Sequence, residues 1–215
     1  MNNAYLYLHG FASGPTSSKG VYLTEQMQAL GLTLECLDFN IGGFESLTIS
    51  RQVEQTLAAM GDQPATVIGS SLGGLTAAWA AERSRQVERL ILLAPAFQFT
   101  HIMAQSLGTD ALAAWEQTGS RPFFHYVEGR ELNLDYSFWR DALSLDEQQL
   151  QRPLPTLIIH GRGDDVVPLD VSSTYAASRP WVELRSVTSD HSLSDQKQVI
   201  WELLQAFCDL VPAQP

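Results

Sequence analysis

Ala65-Thr66-Val67-Ile68-Gly69-Ser70-Ser71-Leu72-Gly73-Gly74-Leu75 is the stretch whose reading decides the fold. Its apolar run, Ala65–Gly69, reads as a buried strand, and the small-residue segment Leu72–Arg83, rich in Ala, reads as a helix. Between them Gly69-Ser70-Ser71-Leu72-Gly73 fits G-x-S-x-G, the pattern of a strand that reverses directly into a helix. Such a turn holds its central residue in a strained backbone conformation. Side chains two positions to either side would collide, so both places call for glycine. The strain pushes the hydroxyl of Ser71 into the open above the strand ends. The helix that starts there aims its free N–H groups and the positive end of its dipole at the same spot. Ser70 is the neighbouring alternative, but it lacks the flanking glycine symmetry.

Working outward, the chain alternates between two hydrophobic periods. Strand-like runs occur at Ala4–Leu8, Leu32–Asp38, Val87–Leu93, Thr156–His160 and Val182–Val187. Helical spacing joins Leu23, Met27 and Leu30, with Ser17 or Ser18 as cap and Gly31 as stop. It joins Ile49, Val53, Leu57 and Met60 as well, and it returns at Pro168–Ser178 and Asp195–Leu210. Six strands with intervening helices predict an α/β fold: a doubly wound, mostly parallel six-stranded sheet. The exception is Phe97–Arg152, an insert rich in aromatic residues between the fourth and fifth core strands. Its texture predicts helical pieces at His101–Leu107, Asp110–Gln117 and Tyr136–Leu143, and a hairpin around Glu128-Gly129-Arg130. Residues 1–215 are thus read as one domain, with 97–152 as a helical, aromatic cap over the carboxyl edge of the sheet.

A serine hydroxyl needs a base, and a base needs a partner that fixes its tautomer. His191, in Ser189-Asp190-His191-Ser192, follows the last strand and so stands over the same sheet edge as Ser71. His160-Gly161-Arg162-Gly163-Asp164-Asp165 places an acid in the loop after the fifth strand; Asp164 is preferred and Asp165 is the competitor. Ser71, Asp164, His191 is also the chain order that this fold demands. The N–H groups of Leu72 and Phe11 are the expected oxyanion donors, because the first strand runs into His9-Gly10-Phe11 beside the elbow. Candidate substrate contacts are His9, Phe97, Phe99, Phe123 and Phe124. His9 and His160, each followed by Gly at a strand end, are also read as satisfying local hydrogen bonds. His101 and His125 lie in the insert, where a surface role is expected. Gly10, Gly14 and Lys19 miss the phosphate-loop spacing, since Lys19 does not follow Gly14 directly.

The motifs together, His-Gly-Phe at 9–11, Gly-Ser-Ser-Leu-Gly-Gly at 69–74, His-Gly-Arg-Gly-Asp-Asp-Val-Val-Pro at 160–168 and Asp-His-Ser at 190–192, resemble those of the α/β-hydrolase superfamily. The His-Gly-Phe-Ala-Ser-Gly-Pro-x-Ser-Ser-Lys opening at 9–19 and the insert Pro95–Arg152 make the chain similar to the compact YqiA/YcfP-type esterases. The resemblance implies Ser71 as nucleophile, Asp164 as acid, His191 as base, no cofactor, and an ester or thioester substrate. It also implies that the two leading strands of a full-length hydrolase are absent, none of which would supply catalytic groups. Two alternatives stand beside it: a non-catalytic ligand-binding protein on the same fold, and a carbon–carbon hydrolase or lyase using the same residues.

Composition narrows the partners. Asp and Glu number 24 against 13 Lys and Arg, a formal charge of −11, which repels nucleic acid and anionic membrane surfaces. No Cys/His cluster has metal-ligand spacing, and Cys36 and Cys208 read as buried free thiols. Without a basic start or a long apolar run, a cytoplasmic protein acting on a small molecule is expected.

Overall fold

The computed structural model describes residues 3–210. In chain order it holds β1 (Ala4–Leu8), α1 (Ser18–Ala29), β2 (Leu34–Leu37), α2 (Ile49–Met60), β3 (Ala65–Ser70), α3 (Leu72–Arg83) and β4 (Val87–Leu93). The insert follows as α4 (Phe99–Leu107), α5 (Thr109–Thr118), the hairpin β5 (Ser120–His125) and β6 (Arg130–Asp135), and α6 (Ser137–Ser144). The core then resumes with β7 (Thr156–Gly161), α7 (Leu169–Ala177), β8 (Val182–Val187) and α8 (Lys197–Cys208). The six core strands form one parallel sheet in the order β2-β1-β3-β4-β7-β8. The winding reverses between β1 and β3, where such sheets open a crevice at their carboxyl ends.

Strand alternation sorts the core into two layers. Leu6, Leu8, Val67, Leu90, Leu92 and Ile158 face α2, α3, α7 and the insert. Tyr7, Ile68, Ile91, Leu93, Leu157 and Ile159 face α1 and α8 on the other side. Every residue of β3 and β7 is buried, which is why these strands read as continuous apolar runs rather than alternating ones. Capping fixes the helix starts. The Ser17 hydroxyl accepts the Gly20 N–H at 3.3 Å, and Thr48 Oγ1 accepts that of Arg51 at 3.0 Å; each cap contributes about 1 kcal/mol.

The last helix starts two residues later than its apolar spacing predicts, because Ser194–Gln196 forms a 3-10 turn, and Asp209 in the left-handed region ends it early. Cys208 is buried as expected, whereas Cys36, near the sheet's outer strand edge, is only half-buried; both thiols are free. Among the described residues no helix is long and apolar enough to cross a membrane.

The insert is tied to the core and braced within itself. The Tyr126 N–H donates to the Ala12 carbonyl at 2.8 Å, bringing the hairpin against the loop after β1. Trp115, fully buried, donates its indole N–H to the Leu134 carbonyl at 2.9 Å. The Glu147 carboxylate accepts the N–H groups of Gln98 at 2.7 Å and Phe99 at 3.0 Å, capping α4 from the far end of the insert. Burial pushes that carboxyl up, against the lowering effect of these two bonds. Next to it, Glu82 Oε2 accepts the N–H groups of Gln151 and Arg152, each at 2.9 Å.

Candidate active site

β3 delivers the elbow. Ser71 has φ 54° and ψ −118°, a strained conformation for a residue with a side chain. The neighbouring backbones leave no room for a Cβ at the flanking positions. One on Gly69 would stand 2.3 Å from the Gly73 carbonyl oxygen, and one on Gly73 would stand 2.2 Å from that of Leu8. The Ser71 N–H donates to the Leu93 carbonyl at 2.9 Å, and the Ser71 carbonyl accepts the Ala96 N–H at 3.1 Å. The turn is thereby pinned to the end of β4.

Loops from three strands meet above this serine. Ser71 Oγ lies 3.0 Å from His191 Nε2, although 120 residues separate them. His191 Nδ1 lies 2.8 Å from Asp164 Oδ2. Because the carboxylate can only accept, Nδ1 carries the proton and Nε2 is left free to accept from the serine hydroxyl. Asp164 Oδ1 accepts the N–H groups of Val166 at 3.0 Å and Val167 at 2.8 Å. Burial raises the Asp164 carboxyl. Hydrogen bonds from His160, His191 and the Val167 N–H outweigh it and hold the group well below the usual carboxylate range. Asp165, the competing acid, is exposed and makes no bond to His191; its side chain lines the cleft instead.

The His191 loop has its own anchor. The Lys19 ammonium, from the first turn of α1, donates to the Ser192 carbonyl. Burial brings Lys19 down to about 8, opposed by the charge of Asp190. Lys19, which ends the opening motif and misses the phosphate-loop spacing, thus holds the loop that carries His191.

Phe11 and Leu72 both line the cleft, as the oxyanion expectation requires. Among the described residues neither backbone N–H has a hydrogen-bond acceptor. A pair of free donors beside a serine hydroxyl at a helix N-terminus can receive a developing negative charge. The cleft has a volume of about 600 Å³. Phe99, Ile102 and Met103 from α4 and Phe123 from β5 form its apolar walls with Phe11. Asp165 is the one ionisable side chain among the described residues that line it.

Three expected substrate contacts fall elsewhere. His9 is 2% exposed and fully engaged: Nδ1 bonds the Gly10 carbonyl at 2.9 Å and Nε2 accepts the Phe39 N–H at 3.2 Å. Phe97 turns inward and stacks on Tyr175 with ring centroids 4.0 Å apart. Phe124 neighbours Phe123 on a strand, so it faces the opposite way, toward solvent. His125 also differs from its expected surface role; it is buried, with Nε2 2.9 Å from Asn40 Oδ1. Ile102 and Met103 were missed, although Phe99, Ile102, Met103 and Leu107 form a helical stripe that marks one apolar face. His160 satisfies local hydrogen bonds as expected, with Nδ1 2.8 Å from Ser172 Oγ and Nε2 2.8 Å from the Val167 carbonyl oxygen; Nε2 also lies 3.1 Å from Asp164 Oδ2.

Residues 4–208 match the model of the family described as uncharacterised protein family UPF0227. The chain belongs to this family. The match bears out the YqiA/YcfP-type resemblance, and solved structures carry the fold of the UPF0227 chain further. It superposes on the alpha/beta hydrolase domain-containing protein 10 from mouse with TM-score 0.77 and 23% identity, covering 98% of this chain and 92% of the other. Est1E from Butyrivibrio proteoclasticus, with ferulic acid bound, gives TM-score 0.78 at 19% identity, over 97% and 90% of the two chains. The esterase domain of a Rhodothermus marinus protein gives 0.65 at 20% identity, over 96% and 86%. At these identities the likeness establishes the α/β-hydrolase fold. No curated protein matches the chain.

Proposed function

We propose that this UPF0227 protein is a serine hydrolase that cleaves carboxylic esters or thioesters through an acyl-Ser71 intermediate. One observation carries the reading: the unbroken hydrogen-bonded chain Ser71–His191–Asp164, with distances of 3.0 and 2.8 Å, whose serine lines an apolar cleft. In this reading His191 takes the Ser71 proton as the hydroxyl oxygen attacks the acyl carbon. It then passes the proton to the departing alcohol or thiol, and the acyl group stays on Ser71. A water, deprotonated by His191, attacks the acyl-serine, and the acid and free Ser71 are released. Asp164 holds the tautomer and stabilises the imidazolium. The N–H groups of Phe11 and Leu72 take the oxyanion, an interaction of about 3 to 4 kcal/mol per donor in the transition state.

The insert acts as the cap of the site and supplies the pocket for the apolar group. Phe11, Phe99 and Phe123 suit a planar or branched acyl group, in keeping with the ferulic acid held by Est1E. With a carboxylate and no cation on the described wall, uncharged substrates fit better than thioesters of anionic carriers. The test is labelling by a fluorophosphonate together with turnover of p-nitrophenyl esters and acyl thioesters of graded length. The protein is expected to label at Ser71 and turn over the apolar members, and Ser71→Ala is expected to do neither. An unlabelled, inactive wild type, or full activity in Ser71→Ala, overturns the reading.

A further inference from the structure

The Asp164 side chain is fully shielded from solvent, and so is that of His160. Two oxygens face His160 Nε2: the Val167 carbonyl at 2.8 Å and Asp164 Oδ2 at 3.1 Å. Neither can donate, since one is a carbonyl and the other belongs to an ionised carboxylate. Nε2 must therefore carry the proton and share it between them. Nδ1, 2.8 Å from Ser172 Oγ, is then the acceptor of the serine hydroxyl. A carboxylate offers about four acceptor directions. For Asp164 all four are filled, by the N–H groups of Val166 and Val167 on Oδ1 and by His160 and His191 on Oδ2.

We propose that His160 is a positioning residue of the triad, locking the Asp164 carboxylate and its loop so that Oδ2 stays aimed at His191. The proposal rests on the serine-hydrolase reading above. Two consequences follow from the shared proton. First, the ring fixes the backbone at Val167 and the carboxylate at Asp164 with one N–H, so neither can shift alone. Second, it draws part of the carboxylate's charge away from His191. The titratable groups bonded to this carboxylate are His160 and His191. Arg162, in the same loop, is turned away to the Ser186 carbonyl at 3.0 Å and Thr188 Oγ1 at 3.3 Å. Removing the His160 donor leaves an unfilled acceptor in a dry site, which favours re-aiming of the carboxylate.

The experiment compares His160→Met, which removes the donor, with His160→Gln, whose amide N–H can reach the Nε2 position. For His160→Met, kcat on a p-nitrophenyl ester is expected to fall about 10- to 100-fold while KM stays within about threefold. His160→Gln is expected to restore most of the lost kcat. An unchanged kcat, a KM that rises as much as kcat falls, or a His160→Gln no better than His160→Met overturns the proposal. Nitrogen-15 histidine spectra of the unaltered protein provide a test that does not depend on the variants folding. They are expected to show His160 protonated at Nε2 and His191 at Nδ1; a proton on His160 Nδ1 overturns the proposal. A wild type that neither labels nor turns over sinks the hydrolase reading instead, and the spectra tell the two failures apart.

Discussion

Replacing Gly73 by alanine tests the close approach on which the whole site depends. The new Cβ would lie 2.2 Å from the Leu8 carbonyl oxygen and 2.6 Å from that of His9. An ordinary carbon–oxygen contact is about 3.3 Å, so α3 and the end of β1 must part by about 1 Å. Both obstacles are backbone carbonyl oxygens, one in the last residue of β1 and one just after it, and neither can rotate away. Overpacking of this kind costs about 1 to 3 kcal/mol, here toward the upper end, while alanine regains about 1 kcal/mol of helix propensity. The net loss of about 2 kcal/mol corresponds to a Tm about 4 to 8 °C lower for a chain of this size. Activity suffers more, because β1 leads to Phe11 and α3 begins at Leu72, so the two oxyanion donors separate. A misplacement of about 1 Å costs about 100-fold in kcat, or about 2.7 kcal/mol, with KM little changed. Gly74→Ala is the matched control. Its Cβ would meet Pro95 Cβ at 2.9 Å and Cα at 3.1 Å, a milder conflict than at Gly73 but one that the rigid proline must shift to relieve. It is expected to lose less than about tenfold in kcat, with stability within about 1 kcal/mol of wild type. Thermal unfolding and steady-state kinetics of the two variants decide the matter. A Gly73→Ala protein with wild-type Tm and kcat, or a Gly74→Ala protein equally damaged, refutes the reasoning.

Asp164→Asn is expected to cost about 10⁴-fold in kcat/KM by losing the tautomer control of His191, and Asp165→Asn at least about 100-fold less. The assignment of the acid fails if the ranking reverses. Tyr7 provides a pH signature. Burial pushes its phenol up to about 12 from 10.0, with the Ser17 hydroxyl pulling weakly the other way. A raised phenol contributes stability in full below pH 10, and that contribution is lost as pH climbs toward 12, about 1 kcal/mol by pH 11. Tyr7→Phe is expected to flatten that part of the decline in urea midpoints between pH 8 and 11. Cys208, pushed up to about 11 by burial, contributes the same slope to both proteins and cancels in the comparison. An identical slope in the two proteins contradicts the burial argument.

The strand–turn–helix at Gly69–Gly73 was legible because steric exclusion at two glycines leaves few alternatives. The adjacency of β1 and β3 was legible too, since an oxyanion loop beside the elbow requires it. Other parts depended on how loops fold back, which local pattern does not encode. His160 and Asp164 are only four residues apart, yet their contact arises because the Val166 and Val167 N–H groups pull the Asp164 side chain around. Phe97 is set by the Tyr175 ring that comes from α7, nearly eighty residues on. Phe124 could have been excluded from the sequence, since adjacent strand residues face opposite sides and Phe123 already pointed inward.

The Glu147 carboxylate that caps α4 also means that the segment between residues 99 and 147 begins and ends at a single place. The path between those anchors can therefore be rebuilt without pulling on β4 or β7. Doubling its length adds only about 0.6 kcal/mol of loop-closure entropy. The wall of the cleft and the machinery at its floor are thus separable inheritances. Exchanging the segment between residues 99 and 147 changes what the protein can hold while leaving Ser71, His191 and Asp164 where they are.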